Sequence, residues 1–317
     1  MTTGPARHRA EPAQPLGGVI PVAPTAFTDD GALDLASQRR MTDFLVDAGS
    51  DAICILANWS EQFALADAER DAVMDAVLGH ATGRVPIVVT TSHFATRVAA
   101  ERARRAQQAG AAALMIMAPY HGATIRASED ATFAFFAEVG AAVDIPIVVQ
   151  DAPMSGTVMS AGLLIRMARD IPNVRHFKLE NADAADKTRA MLAGASDHID
   201  GAWDGEESIT LIADLEAGVT GTMPGAVIPE ILGEVMRRWA TGDRDGATTL
   251  FERWLPLLNW ENKHMGLQAA KVLMHEGGII ASEAVRAPLA AVSRDLRDGY
   301  VRLARRLDPR ILRWSPG

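Results

Sequence analysis

The chain of 317 residues has a single cysteine, Cys54, so it can form no internal disulfide and build no cysteine-based metal site. A reducing, cytoplasmic setting fits that scarcity, and Cys54, in the middle of an apolar run, reads as core. There are four lysines (Lys178, Lys187, Lys263, Lys271) and two tyrosines (Tyr120, Tyr300), which leaves few candidates for amine or phenol chemistry. No apolar run approaches the length needed to span a bilayer, so no membrane is expected. Residues 1–16 are polar and Pro/Ala-rich without an apolar centre, unlike a secretory signal, and predict a flexible arm. Basic charge is in deficit, with 31 Lys and Arg against 40 Asp and Glu and a net charge of −9. A nucleic-acid partner would need the opposite balance to neutralise phosphates. The sequence has no Gly-x-x-x-x-Gly-Lys-Ser/Thr loop, no Gly-x-Gly-x-x-Gly after a strand and no His-Glu-x-x-His. No histidine/carboxylate cluster has metal spacing, so neither a metal nor a nucleotide cofactor is expected.

What is present is an alternation. Hydrophobic residues make up 48% of the chain and charged residues 22%, the balance of a globular protein with a large core. Short apolar runs at 18–23, 52–56, 85–90, 113–117, 146–150, 174–178, 198–202 and 218–222 are separated by segments of helical period. The runs are continuously apolar, as in parallel strands covered by helices on both faces. Eight right-handed strand–helix units close into a barrel. A doubly wound sheet would carry a glycine fingerprint after its first strand, where this chain has Val22-Ala-Pro-Thr25. The prediction is an α/β fold, a (β/α)8 TIM barrel over 17–242. Helical segments at 243–259, 266–275 and 287–307 form a C-terminal helical extension over 243–317.

A barrel of this kind carries its active site at the C-terminal ends of the strands. Lys178 ends the sixth strand. Burial there lowers the pKa of an amine toward neutrality, and a neutral amine can condense with a ketone to a Schiff base; the plainer alternative is a lysine that snorkels to solvent. The other three lysines lie in helix patterns. Glu180 is two residues on, the spacing that keeps side chains on one face of a strand, and is either an acid/base beside the lysine or a counter-ion at a helix start. Asn58-Trp59-Ser60 follows the second strand. Its N–H groups and small polar side chains can hold a carboxylate, or Ser60 starts a helix and Trp59 packs. Gln150 ends the fifth strand and points into the mouth if parity holds. His93 after the third strand and Tyr120 after the fourth are proton relays or hydrogen-bonded structural residues. Gly221-Thr222-Met223 at the eighth strand allows close backbone approach to a ligand, or is simply a tight turn. Asp204-Gly-Glu-Glu207 has the spacing of a capping box and predicts helix initiation.

The start Gly18-Val-Ile-Pro-Val-Ala-Pro-Thr25, the segment Gly31-Ala-Leu-Asp34, the Pro119-Tyr120 pair and Lys178 on the sixth strand resemble the dihydrodipicolinate synthase and N-acetylneuraminate lyase family of Schiff-base barrels, over about 17–307. The resemblance implies a covalent Schiff base through Lys178 with no other cofactor. It also implies a 2-keto acid whose carboxylate is held by Asn58–Ser60, and a homotetramer with Tyr120 near a subunit contact. The departures are informative. The family's Gly-Thr-Thr-Gly-Glu is here Ala57-Asn-Trp-Ser-Glu61, its tyrosine at the end of the fifth strand is Gln150, and its nearby arginine is absent from Met154-Ser-Gly-Thr157. Loss of that arginine argues against the dicarboxylate of lysine biosynthesis, and loss of the tyrosine hands the acid/base work to Glu180. Together with Phe177-Lys-Leu-Glu180 and Trp203-Asp-Gly-Glu-Glu207, these departures resemble a branch that dehydrates 2-keto-3-deoxy pentonates in bacterial sugar catabolism. His93, Gln150 and Gly221–Met223 would then orient the substrate hydroxyls. An aldolase on the same imine and a non-catalytic keto-acid-binding protein are the alternatives.

Overall fold

A computed structural model describes residues 16–121 and 125–316. Residues 1–15 of the expected arm lie outside the described residues. Eight parallel strands form one sheet: β1 (Gly18–Val19), β2 (Ile53–Ile55), β3 (Ile87–Thr90), β4 (Ala113–Met117), β5 (Ile147–Asp151), β6 (Val174–Leu179), β7 (Gly201–Asp204) and β8 (Gly221–Thr222). They pair in sequence order from β2 through β8 to β1. The ring closes between β1 and β2 through the parallel bridge of Val22 with Cys54, carried by Ala23 N to Cys54 O and Cys54 N to Pro21 O at 2.8 and 2.9 Å. The predicted (β/α)8 TIM barrel is therefore observed.

Helices α1 (Leu35–Asp47), α2 (Asp67–Ala81), α3 (Thr96–Ala109), α4 (Glu129–Ala141), α5 (Ala161–Asp170), α6 (Ala184–Ala195), α7 (Leu211–Ala217) and α8 (Pro229–Ala240) follow successive strands. Their starts are locally encoded: the side chains of Asp34, Ser128 and Ser160 accept hydrogen bonds from N–H groups of the first turn. Then come α9 (Arg244–Trp260), a π-helical turn (Glu261–Met265), α10 (Gln268–Glu276) and α11 (Arg294–Leu307). A short hairpin pairs Tyr120–His121 with Ile125–Arg126 after β4.

Two apolar clusters follow from strand alternation. One lies between the sheet and the helices. The other fills the barrel interior with Ile20, Val22, Cys54, Val88, Met115, Val148, Trp203 and Met223, and Trp59 packs against it. Cys54 is thus core, and burial pushes its thiol up to about 11. Several boundaries differ from expectation. β7 begins three residues late because Ser196–His198 forms a 3-10 turn. Gly218, read as strand, caps α7 at φ 103°, a conformation glycine adopts freely. The last helix starts at Arg294 instead of 287, since Pro288 lacks an N–H and Ser293 supplies the cap. No described helix is long and apolar enough to cross a membrane.

Candidate active site

The parallel register draws Met117, Gln150, Lys178 and Trp203 into one row across β4 to β7. Trp203 and His176 fill the barrel beneath, their rings 4.9 Å apart. Lys178 is 2% exposed. Its Nζ lies 2.8 Å from Glu180 Oε1, the oxygen that also accepts from Gln150 Nε2 at 2.7 Å. Glu180 is one residue past β6, tied by its N–H to Asp151 O at 3.1 Å. Three side chains singled out from the sequence thus meet at one point.

The expected fall in the Lys178 pKa is corrected. Burial does pull it down, but the charge of Glu180 and the hydrogen bond that Lys178 donates to it outweigh burial and raise it above the ordinary lysine value. The resting pair is an ion pair, and attack by the amine would require it to hand its proton to the carboxylate beside it.

The capping-box reading of Asp204–Glu207 is also corrected. α7 begins at Leu211, and Asp204 belongs to β7. Asp204 is fully buried and accepts from Thr222 Oγ1 at 2.5 Å and Thr210 Oγ1 at 3.3 Å. Burial pushes its carboxyl up to about 7. Glu207 turns back toward the mouth at φ 48°. It is 7% exposed, and burial pushes it up to about 8 against the pull of the Lys178 charge, so it carries a proton at neutral pH. The glycine between them is required. A Cβ at Gly205 would lie 2.6 Å from Glu180 Cγ, 2.8 Å from Lys178 Cγ and 3.0 Å from Leu179 O. Both Gly205 and Glu207 were missed as site residues; the signal was the run Asp-Gly-Glu-Glu at the end of a barrel strand.

The remaining candidates divide. Asn58 is buried next to this row, its Nδ2 on Met154 Sδ at 2.8 Å and 3.9 Å from Met117 Sδ. The amides of Asn58 and Trp59 open a 3-10 turn (Asn58–Ser60), where N–H groups have no partner within the turn. Ser60 does not offer its hydroxyl, since Oγ donates to Ala23 O at 2.6 Å and accepts from Ala57 N. The hydroxyl of Thr222 is bound between Asp204 and Ser208. The Met223 side chain belongs to the barrel interior. Gly221 has Gly18 O and Trp203 Cδ1 each 2.8 Å from where a Cβ would stand, so it serves strand packing. His93 and Tyr120 line a side cleft of about 310 Å³ with Gln62, Phe63, Phe94 and Met117, apart from Lys178. Burial and the charge of Arg102 hold the His93 imidazole below its ordinary pKa. The other lysines are paired elsewhere: Lys187 with Asp151, Lys271 with Glu61, Lys263 with Glu206.

The match to the model of the Dihydrodipicolinate synthetase family extends over residues 15–306. The chain belongs to that family. It is 53% identical over 298 residues to L-2-keto-3-deoxyarabonate dehydratase of Azospirillum brasilense, covering 94% of this chain and 96% of that protein. It is 29% identical over 276 residues to 4-hydroxy-tetrahydrodipicolinate synthase of Acidothermus cellulolyticus, covering 87% of each. Among solved structures, dihydrodipicolinate synthase of Rhodopseudomonas palustris superposes with a TM-score of 0.83 at 26% identity, over 92% of this chain and 97% of that one.

Proposed function

We propose that this protein is a Schiff-base dehydratase that converts 2-keto-3-deoxy-L-arabonate to 2-oxoglutarate semialdehyde and water. The observation that carries the reading is the Lys178–Glu180–Gln150 contact, 2.8 and 2.7 Å, at the mouth of the barrel. The 53% identity to the Azospirillum dehydratase supports the substrate.

Lys178 passes its proton to Glu180 and attacks the C2 ketone. Glu180 returns that proton to the carbinolamine hydroxyl, which leaves as water and gives an iminium; the iminium acidifies the C3 protons, and Glu180 is again a carboxylate. Glu180 removes one, and the electron pair forms the enamine. The enamine then expels the C4 hydroxyl, which leaves as water with a proton from Glu207, the buried acid that still holds one at neutral pH. Tautomerisation through C5 and hydrolysis of the imine release the product. The water lost in forming the imine returns in its hydrolysis, so one water is produced net. Gln150 holds Glu180 by its amide, and amides at Asn58 and Trp59 take the substrate carboxylate. A tyrosine at the position of Gln150 would serve C–C cleavage by deprotonating the C4 hydroxyl; an amide has no such proton to exchange.

The same reading assigns the barrel to 17–242 and the helical extension to 243–317. It makes the protein a cytoplasmic homotetramer, its contact near Tyr120, where Phe63 and Phe94 are 54% and 42% exposed. Light scattering on the purified protein tests the assembly. The deciding assay is NMR of the products from 2-keto-3-deoxy-L-arabonate. The semialdehyde is expected. Pyruvate with glycolaldehyde would make the protein an aldolase, and unchanged substrate would leave a site that only binds.

A further inference from the structure

Glu207 has a partner that belongs to no barrel strand. Its Oε2 accepts from Asn262 Nδ2 at 2.6 Å, across 55 residues of sequence. Asn262 lies on the π-helical turn Glu261–Met265 that ends α9. A π-turn adds one residue to a turn of helix and redirects the side chains it carries, and such turns recur at functional sites. Here the redirected pair faces the barrel. Glu261 is 1% exposed, and neither of its oxygens has a hydrogen-bond partner among the described residues. It is close enough to the end of the barrel that a Cβ at Gly225 would collide with it. The Tyr300 hydroxyl, from α11, is likewise buried and unpartnered.

We propose that Asn262 is a positioning residue for the elimination step: its amide holds the Glu207 carboxyl beside Lys178, which makes the helical extension part of the active site. This rests on the reading of Glu207 as the acid. With Oε2 fixed by Asn262, Oε1 is the oxygen left to deliver a proton to the departing hydroxyl. The groups that face Glu207 are Lys178 from β6, Glu180 just past it, Asp204 from β7, and Glu261 and Asn262 from the π-turn. Among them Asn262 is the neutral donor, so it can orient the carboxyl without discharging it. Its N–H favours the charged form of Glu207 and tempers the upward push of burial.

The test compares wild type with Asn262→Ala, Asn262→Asp and Glu207→Gln, each as the full chain. Asn262→Ala is expected to lower kcat about tenfold or more with KM changed less than about threefold. The alkaline limb of its kcat/KM profile should move up by about one pH unit, because loss of the donated N–H favours the neutral carboxyl. Borohydride trapping of pyruvate on Lys178 should proceed at the wild-type rate. Asn262→Asp keeps the shape, so it supplies the same readout if the alanine variant fails to fold; it should shift the limb the same way. Wild-type kcat and an unmoved limb in a folded variant would overturn the proposal. Loss of turnover and trapping together with an unmoved limb would also overturn it, by marking a merely structural role. Near-normal turnover in Glu207→Gln would instead remove Glu207 as the acid, a failure of the underlying reading that the same plate of assays separates.

Discussion

Lys178 differs from the three other lysines in where its carboxylate partner can go. Lys187 and Lys271 are locked in fully buried pairs with Asp151 and Glu61, and Lys263 is half exposed. The partner of Lys178, Glu180, is part-exposed and is shared with Gln150, so it can take up and release a proton. A signed prediction follows from the charges. Glu180 makes the largest upward contribution to the Lys178 pKa against burial. Glu180→Gln should therefore lower that pKa: trapping of pyruvate by borohydride should persist and extend to lower pH than in wild type. Turnover should fall by about 10²- to 10⁴-fold, as expected for loss of the base. Trapping that shifts to higher pH would contradict the electrostatic assignment. Gly205 gives a second prediction. A Cβ there meets Leu179 O, a backbone atom that cannot swing away, as well as the side chains of Lys178 and Glu180. Gly205→Ala should retain the wild-type circular dichroism spectrum yet lose about 10²-fold in kcat, the scale set by misplacing reacting groups by about 1 Å.

At the scale of elements, strand parity was what located the Lys178 cluster from sequence. Lys178 and Gln150 are next to last in regular strands, and Glu180 keeps the two-residue spacing from Lys178, so parity located them. Glu207 and Asn262 escaped for a physical reason. A positive φ at Glu207 breaks strand parity, and the partner that orients it comes from a π-turn, which no 3.6-residue period announces. The same spacing that suggests a helix cap in Asp204–Glu207 instead sends a carboxyl into the barrel. The hydroxyls of Ser60 and Thr222 are drawn into contacts with Ala23 and Asp204, which are remote in sequence and which no local spacing announces. The loop after β2 is held from the extension as well. Glu61, at φ 56° beside the proposed carboxylate cradle, is fully buried against Lys271 of α10 and accepts from Arg286 N at 3.0 Å. Lys271 and Arg286 both lie over the Phe27 ring, each 4.4 Å from its centroid. Lys271→Met would strand a buried charge at Glu61 and should cost about 3–5 kcal/mol of stability in urea unfolding. Lys271→Met with Glu61→Gln should recover part of it; a double variant no more stable than the single would show that the pair is not the cause.

Across the whole molecule, the buried acids set the response to pH. Glu207 is raised from 4.5 to about 8 and Asp204 from 3.8 to about 7, both by burial first. Each therefore holds a proton in the folded chain at pH values where the unfolded chain has lost it. Stability from such groups is fully present below the unfolded pKa and declines as pH rises to the folded one. His176 acts in the opposite sense: burial depresses it from 6.5 to about 4, so stability rises with pH between those values. Below pH 6.5 the two trends oppose each other, and above it the unfolded imidazole loses its remaining protons within about one pH unit, so the acids dominate. The melting temperature should consequently fall between pH 6.5 and 8. Glu207 alone accounts for about 2 kcal/mol over that interval, since one proton is held by the folded state across about 1.5 pH units. Replacing it with glutamine removes the titration while keeping the shape of the side chain. Calorimetry of Glu207→Gln should show a shallower decline than wild type over pH 6.5–8 and a higher melting temperature at pH 8. An unchanged slope would mean that Glu207 is ionised in the folded protein at neutral pH, and the proton for the leaving hydroxyl would then have to come from another group.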